Sequence, residues 1–171
     1  THVPTPTATP MLGKIAFSGK RNGRFDIFVM NADGSNKINI TSELGYSSYF
    51  PSWSPNGNRI AFQRPRAHDM YYWIDNPNDG YIKLIDYDGS NLGDVPNLVV
   101  AGDSTDEIAH PSWSPDGTKI AFSSKADGYW HIYTIGVDGS NRTEITGEWY
   151  PWCCHEYPDW SPDGSKIVFQ G

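Results

Sequence analysis

Three stretches of this chain repeat the same residues in the same order, and that repetition limits the fold more than any other feature. Pro51-Ser52-Trp53-Ser54-Pro55-Asn56-Gly57-Asn58-Arg59-Ile60-Ala61-Phe62 aligns without a gap on Pro111-Ser112-Trp113-Ser114-Pro115-Asp116-Gly117-Thr118-Lys119-Ile120-Ala121-Phe122 and on Pro158-Asp159-Trp160-Ser161-Pro162-Asp163-Gly164-Ser165-Lys166-Ile167-Val168-Phe169. Each reads as a β-hairpin. Proline fixes φ, Asp or Asn bonds its own backbone, and glycine accepts a positive φ, so Ser-Pro-Asp-Gly is a turn. A tryptophan strand precedes that turn and a β-rich Ile-Ala-Phe strand follows it. Gly13-Lys14-Ile15-Ala16-Phe17 is a fourth copy without its leading half.

A second element alternates with the first. Phe25–Asn36, Tyr81–Asn91 and Trp130–Asn141 are aromatic and β-branched runs, each ending in Asp-Gly-Ser-Asn, a hairpin signal. Short strands are expected after each, over Lys37–Thr41, Asn97–Ala101 and Arg142–Thr146. One unit therefore holds four strands, here a (Trp), b (Ile-Ala-Phe), c and d. Trp53, Trp113 and Trp160 are 60 and 47 residues apart. Four strands at such a period mark a β-propeller blade. The fold class is all-β, with thirteen antiparallel strands in the order b-c-d, a-b-c-d, a-b-c-d, a-b: a partial propeller of about three blades. The blades are expected over about 12–42, 50–102 and 110–147, with a partial one over 157–171. Residues 1–11 form a Thr/Pro-rich linker or tail.

The recurring Trp-Ser-Pro-Asp-Gly-x-Lys-Ile-Ala-Phe, followed by an Ile-Tyr/Phe strand and Asp-Gly-Ser-Asn, resembles the TolB-type β-propeller repeat from about Leu12 onward. The resemblance implies the fold. It leaves function open, because such repeats occur in periplasmic interaction proteins, in the propellers of oligopeptidases and in bacterial surface proteins.

Composition narrows the partners. The net charge is −7 with no basic cluster, which argues against nucleic acid and anionic membrane surfaces. No run approaches the length of a membrane helix, so membrane insertion is not expected. Thr5, Thr7 and Thr9 in the linker are candidate O-glycosylation sites. Asn39 and Asn141 head N-x-Thr sequons. The adjacent Cys153 and Cys154 are expected to bond to each other in an extracellular or cell-surface protein, with a periplasmic location as the alternative.

Blade polarity sorts the loops. The a–b and c–d turns share one face, and their aspartates are expected to be turn formers rather than acid/base groups. The other face carries the b–c loop of the second blade, ten residues longer than its counterparts, and the irregular d–a connections. Tyr71, Tyr72, Trp73, Tyr49, Phe50, Trp149 and Trp152 on that side are the candidate ligand- or partner-binding residues. They either bind or fill the space between blades.

Catalytic signatures are missing: there is no Gly-x-Ser-x-Gly elbow, phosphate loop, dinucleotide fingerprint or His-Glu-x-x-His. The five histidines sit at no ligand-like spacing. No cofactor is expected. Calcium at Asp103, Asp106 and Glu107, or at Asp75 with Asp79, is only weakly supported. The chain is expected to be a non-enzymatic interaction module that binds itself head to tail. Ile15 and Phe17 at one end, and Trp160, Ile167 and Phe169 at the other, would form the contact, as a ring-closing dimer or a filament. A glycan- or peptide-binding module is the alternative reading, and a glycosidase or lyase a weaker one.

Overall fold

A computed structural model describes residues 13–65, 80–95, 107–125, 128–147 and 154–171. The Thr/Pro-rich stretch, with Thr5, Thr7 and Thr9, lies outside the described residues, as do Tyr71, Tyr72, Trp73, Trp149, Trp152 and Cys153.

The described residues form thirteen strands in the expected order. β1 (Lys14–Arg21), β2 (Arg24–Asn31) and β3 (Ile38–Asn39) make a three-stranded sheet. β4 (Tyr49–Trp53), β5 (Arg59–Pro65), β6 (Gly80–Asp86) and β7 (Gly93–Asp94) make the second blade. β8 (Ile108–Trp113), β9 (Lys119–Ser124), β10 (His131–Gly136) and β11 (Thr143–Glu144) make the third. β12 (Glu156–Trp160) and β13 (Ile167–Gln170) pair as a terminal hairpin. All the pairings are antiparallel.

Two strand assignments are corrected. The fourth strand of the second blade is Gly93–Asp94, two residues past Asn91, just as β3 and β11 start two residues past Asn36 and Asn141. The apolar run expected there, Asn97–Ala101, lies outside the described residues. The a strands begin earlier than the tryptophan motif suggested. Each is bulged against its b strand, between Tyr49 and Ser52, Ala109 and Ser112, and Glu156 and Asp159.

Period-2 alternation makes each b strand serve two interfaces. Ile60 and Phe62 pack with Ile85 against Ile27, Val29 and Ile40 of the first blade. Ala61, between them, turns the other way and joins Ile82, Leu84 and Val95 against Ile108, Ile120, Phe122 and Ile135 of the third. A strand buried on both faces needs an unbroken apolar triplet, which explains Ile-Ala-Phe.

The turns behave as structural parts. Ser114 Oγ donates to Asp116 Oδ1 at 2.6 Å, and the Thr118 and Lys119 amides donate to Asp116 and to Ser114 Oγ at 3.0 and 2.9 Å. Ser161, Asp163, Ser165 and Lys166 repeat the arrangement. In Asp-Gly-Ser-Asn, the Ser35, Ser90 and Ser140 amides donate to Asp33, Asp88 and Asp138, each at 2.9 Å. Successive Ser-Pro-Asp-Gly turns also nest: a Cβ on Gly117 (φ +72°) would lie 3.6 Å from Pro55 Cδ.

Candidate functional site

The bulges place a recurring residue in an unusual conformation. Phe50, His110 and Tyr157 each precede the proline of the repeat and each has a positive φ, 52°, 55° and 55°. A left-handed backbone costs a side-chain-bearing residue about 1–2 kcal/mol, so three copies are an expense that the surrounding packing must offset. Because the three occupy the same place on successive a strands, they converge. The His110 ring stacks on Tyr157 at 3.8 Å, and the Phe50 ring stands edge-on to His110 at 4.5 Å and to Tyr157 at 6.3 Å. Tyr49 and Phe25 extend the cluster, with centroids 6.0 Å from Phe50 and 5.1 Å from Tyr49 respectively. The Phe50 amide, freed from the ladder by the bulge, donates to Ser18 Oγ of the first blade at 3.2 Å.

His110 is the chemical centre of this group. It is buried, and desolvation holds its pKa down to about 4, so the imidazole is neutral near pH 7. Nδ1 lies 3.4 Å from Ser123 Oγ, while Nε2 is buried without a hydrogen-bond partner. Tyr157 keeps half its surface exposed. An exposed ring over a neutral, unsatisfied nitrogen suits binding of a planar or hydrogen-bonding group.

The other expected site residues fall apart into separate places. Ile15, Val168 and Phe169 are exposed, at 41%, 67% and 38%. Trp160 is half-buried, and its Nε1 donates to Ser112 O at 3.3 Å. Asn39 is occupied structurally. Its Nδ2 donates to Asp26 Oδ2 at 2.7 Å, and its Oδ1 accepts the Thr41 amide at 3.0 Å. Thr41 itself is buried and accepts the Ile27 amide at 2.8 Å. Asn141 is exposed on a turn with φ 52°. Cys154 is exposed with a free thiol, against the expected Cys153–Cys154 bond. Of the calcium candidates, Glu107 pairs with Lys125 at 3.4 Å, and Asp75, Asp79, Asp103 and Asp106 lie outside the described residues. Among the described residues no cluster of His, Cys, Asp or Glu suits a metal ion.

Phe50 was expected at a binding site, but His110 and Tyr157 were not. The signal was in the repeat: all three stand immediately before the proline of Pro-x-Trp-Ser-Pro, so aligning the copies one residue further back brings them together.

Comparison with known proteins bears on what such a site belongs to. No family model matches the chain. The Tol-Pal system protein TolB of Zymomonas mobilis is 34% identical over 98 residues, covering 56% of this chain. A solved candidate TolB from Agrobacterium tumefaciens superposes with a TM-score of 0.71 at 28% identity, over 92% of this chain. The chain is built of TolB-type β-propeller repeats. It spans 17% of the Zymomonas protein and 50% of the solved Agrobacterium chain. An oligogalacturonate lyase solved in complex with manganese shares the fold alone, at 18% identity and a TM-score of 0.53.

Proposed function

We propose that this chain is a non-enzymatic interaction module whose partner is further propeller sheet, supplied by a second copy head to tail. One observation carries the reading. The b-strand triplets Ile60-Ala61-Phe62 and Ile120-Ala121-Phe122 are 0% exposed, whereas in Ile167-Val168-Phe169 the valine and phenylalanine stand open and, among the described residues, β13 pairs with β12 on one edge only. The same residue pattern that is sealed inside the arc is bare at its end. Ile15 on β1 is bare at the other end. Covering a Val, Ile or Phe side chain fully is worth about 1.5–3 kcal/mol, and an open edge invites another strand. The interior interfaces supply the template, since each blade's forward face accepts the next blade's Ile and Phe.

Light scattering across a concentration series, with negative-stain imaging, tests this. Mass that grows with concentration and falls on Val168→Lys is the expected result. A folded monomer at tens of micromolar overturns it.

The ring cluster favours a second reading, a peptide or glycan bound over Tyr157, Phe50 and His110. Loss of ligand binding on Tyr157→Ala without change in assembly would select it. Periplasmic placement is the location the TolB relatives favour over an extracellular or cell-surface one. Asn141 remains the accessible sequon, and the O-linked sites remain a proposal that an intact mass decides.

A further inference from the structure

The three histidines among the described residues, His110, His131 and His155, all lie where the terminal hairpin meets the third blade. No described residue of the first two blades is a histidine. β12 lies against β8, β9 and β10. At one point of this seam His110 of β8 stacks on Tyr157 of β12 at 3.8 Å. At another, the His155 amide donates to Trp130 O at 2.9 Å, and its ring lies 6.0 Å from the ring of His131 at the start of β10. Phe169 of β13 closes edge-on over His155 at 5.1 Å. All three histidines are more than nine-tenths buried, and His155 Nδ1 and His110 Nε2 have no hydrogen-bond partner.

We propose that this seam is an acid-sensitive latch: protonating its buried imidazoles releases the β12–β13 hairpin from the third blade while the seam between the first two blades stays shut. The device follows from where charge would have to go. Converting a buried neutral ring into a cation costs several kcal/mol unless a partner or water receives it. His110 faces the Phe50 and Tyr157 rings and the Ser123 hydroxyl, none of which carries charge near neutral pH. His155 faces His131 and Phe169, with the backbone of Gly171 beside it. Glu156, next to His155 on β12, has its own carboxyl pushed up by burial. Asp159 of β12 is turned to Ser112, whose Oγ donates to it at 3.1 Å. Among the described residues, Glu144 of β11 is the carboxylate that stands opposite an imidazole, 3.8 Å from His131 Nδ1. The latch therefore rests on His110 and His155.

Burial holds His110 down to about 4, and burial followed by the His131 neighbour holds His155 below the ordinary range. In the released hairpin these rings regain the ordinary pKa of about 6.5. The released state then binds more protons, so the closed seam is fully stable above about 6.5 and loses stability as pH falls toward 4. The first seam has the same backbone bond, Ser48 N to Phe25 O at 2.7 Å, with Ser48 in the place of His155 and Asp26 in that of His131. It offers no imidazole to protonate.

The latch does not depend on head-to-tail association, and amide hydrogen exchange of the whole chain tests it. Between pH 7.5 and 4.5, after correction for intrinsic exchange, β12–β13 amides should lose protection at least ~tenfold relative to β5–β6, one pKa unit being a factor of ten. His110→Phe with His155→Ser should abolish that loss. Equal protection at both pH values, or a loss spread evenly over β1–β13, overturns the proposal. Where the double variant fails to fold, imidazole C–H titration of the unaltered chain by NMR decides. Depressed midpoints with hairpin release in the same window support the latch. Ordinary midpoints with the hairpin still protected overturn it.

Discussion

The seam between the first two blades and the seam before the terminal hairpin use one backbone plan with different fillings. In the first, Thr41 Oγ1 accepts the Ile27 amide at 2.8 Å; in the last, Thr146 Oγ1 accepts the Ile132 amide at 3.0 Å. Around that shared bond, the first seam sets six buried apolar side chains and an Asp26–Asn39 pair. The last sets two close histidines and a stacked His–Tyr pair, with Val168 and Phe169 open behind them. A repeat fixes where groups go, and the residue placed there decides whether the interface is a permanent core or a conditional one.

The largest effect that sharpens this contrast comes from truncating the same b-strand position in each. Phe62→Ala empties a fully buried site and should cost about 3–5 kcal/mol. Phe169→Ala removes a ring that is 38% exposed and should cost about 1 kcal/mol. Urea denaturation measures both, and equal losses would mean that the terminal hairpin is packed as firmly as an interior blade.

Next come the shared threonines. Thr41→Val strands the buried Ile27 N–H, and Thr146→Val strands that of Ile132, each at about 1–3 kcal/mol. Equal costs near pH 7.5 are expected, because both seams are then closed. A negligible cost at Thr146 alone would show the last seam already open before acid is added.

Much of this contrast can be traced in the sequence, but not all of it. The thirteen strands and the structural role of the turn aspartates follow from local signals, since proline, glycine and side-chain acceptors act within four or five residues. The Gly93–Asp94 strand was missed because a two-residue strand in a polar stretch has no periodicity, while the more apolar Asn97–Ala101 nearby attracts the assignment. The bulges were missed for a different reason. Residues before proline favour extended backbone, so nothing local announces the positive φ of Phe50, His110 and Tyr157. Only packing between blades imposes it. Likewise, His131 and His155 are 24 residues apart and meet because the start of β10 lies against the approach to β12, just as His110 and Tyr157 meet between β8 and β12. Spacing rules written for one helix or one loop do not detect that.

A smaller effect separates the turns from the seams. Gly117 and Gly164 have φ of +72° and +71°, with Pro55 and Pro115 only in ordinary contact with an added Cβ. Gly117→Ala and Gly164→Ala should each cost about 1–2 kcal/mol from the left-handed backbone alone. Similar shifts in thermal midpoint would show that the turn face is uniform along the arc. The difference between blades would then be confined to the opposite loops and the seams.

The smallest effect separates two acid responses that a single titration would blend. Asp116 and Asp163 are exposed, and the hydroxyls of Ser114 and Ser161 are the main reason their carboxyls are held down to about 2. A depressed carboxylate stabilises the fold above its unfolded pKa of about 3.9, and that contribution is lost as pH falls through about 2. This window lies below the histidine window, so the hairpin should loosen first and the turns weaken afterwards. The second blade provides an internal control. Asn56 takes the aspartate's place, its Oδ1 accepting from Ser54 Oγ at 2.8 Å and from the Asn58 amide at 3.1 Å without any charge to lose. Asp116→Asn should therefore keep the turn and flatten the dependence of stability on pH between about 4 and 2. It should leave the loss between about 6.5 and 4 unchanged. Urea midpoints at pH 7, 4.5 and 2.5 resolve the two. If Asp116→Asn also removed the upper loss, that response would belong to the turns, and the contrast between the first and last seams would lose its chemical basis.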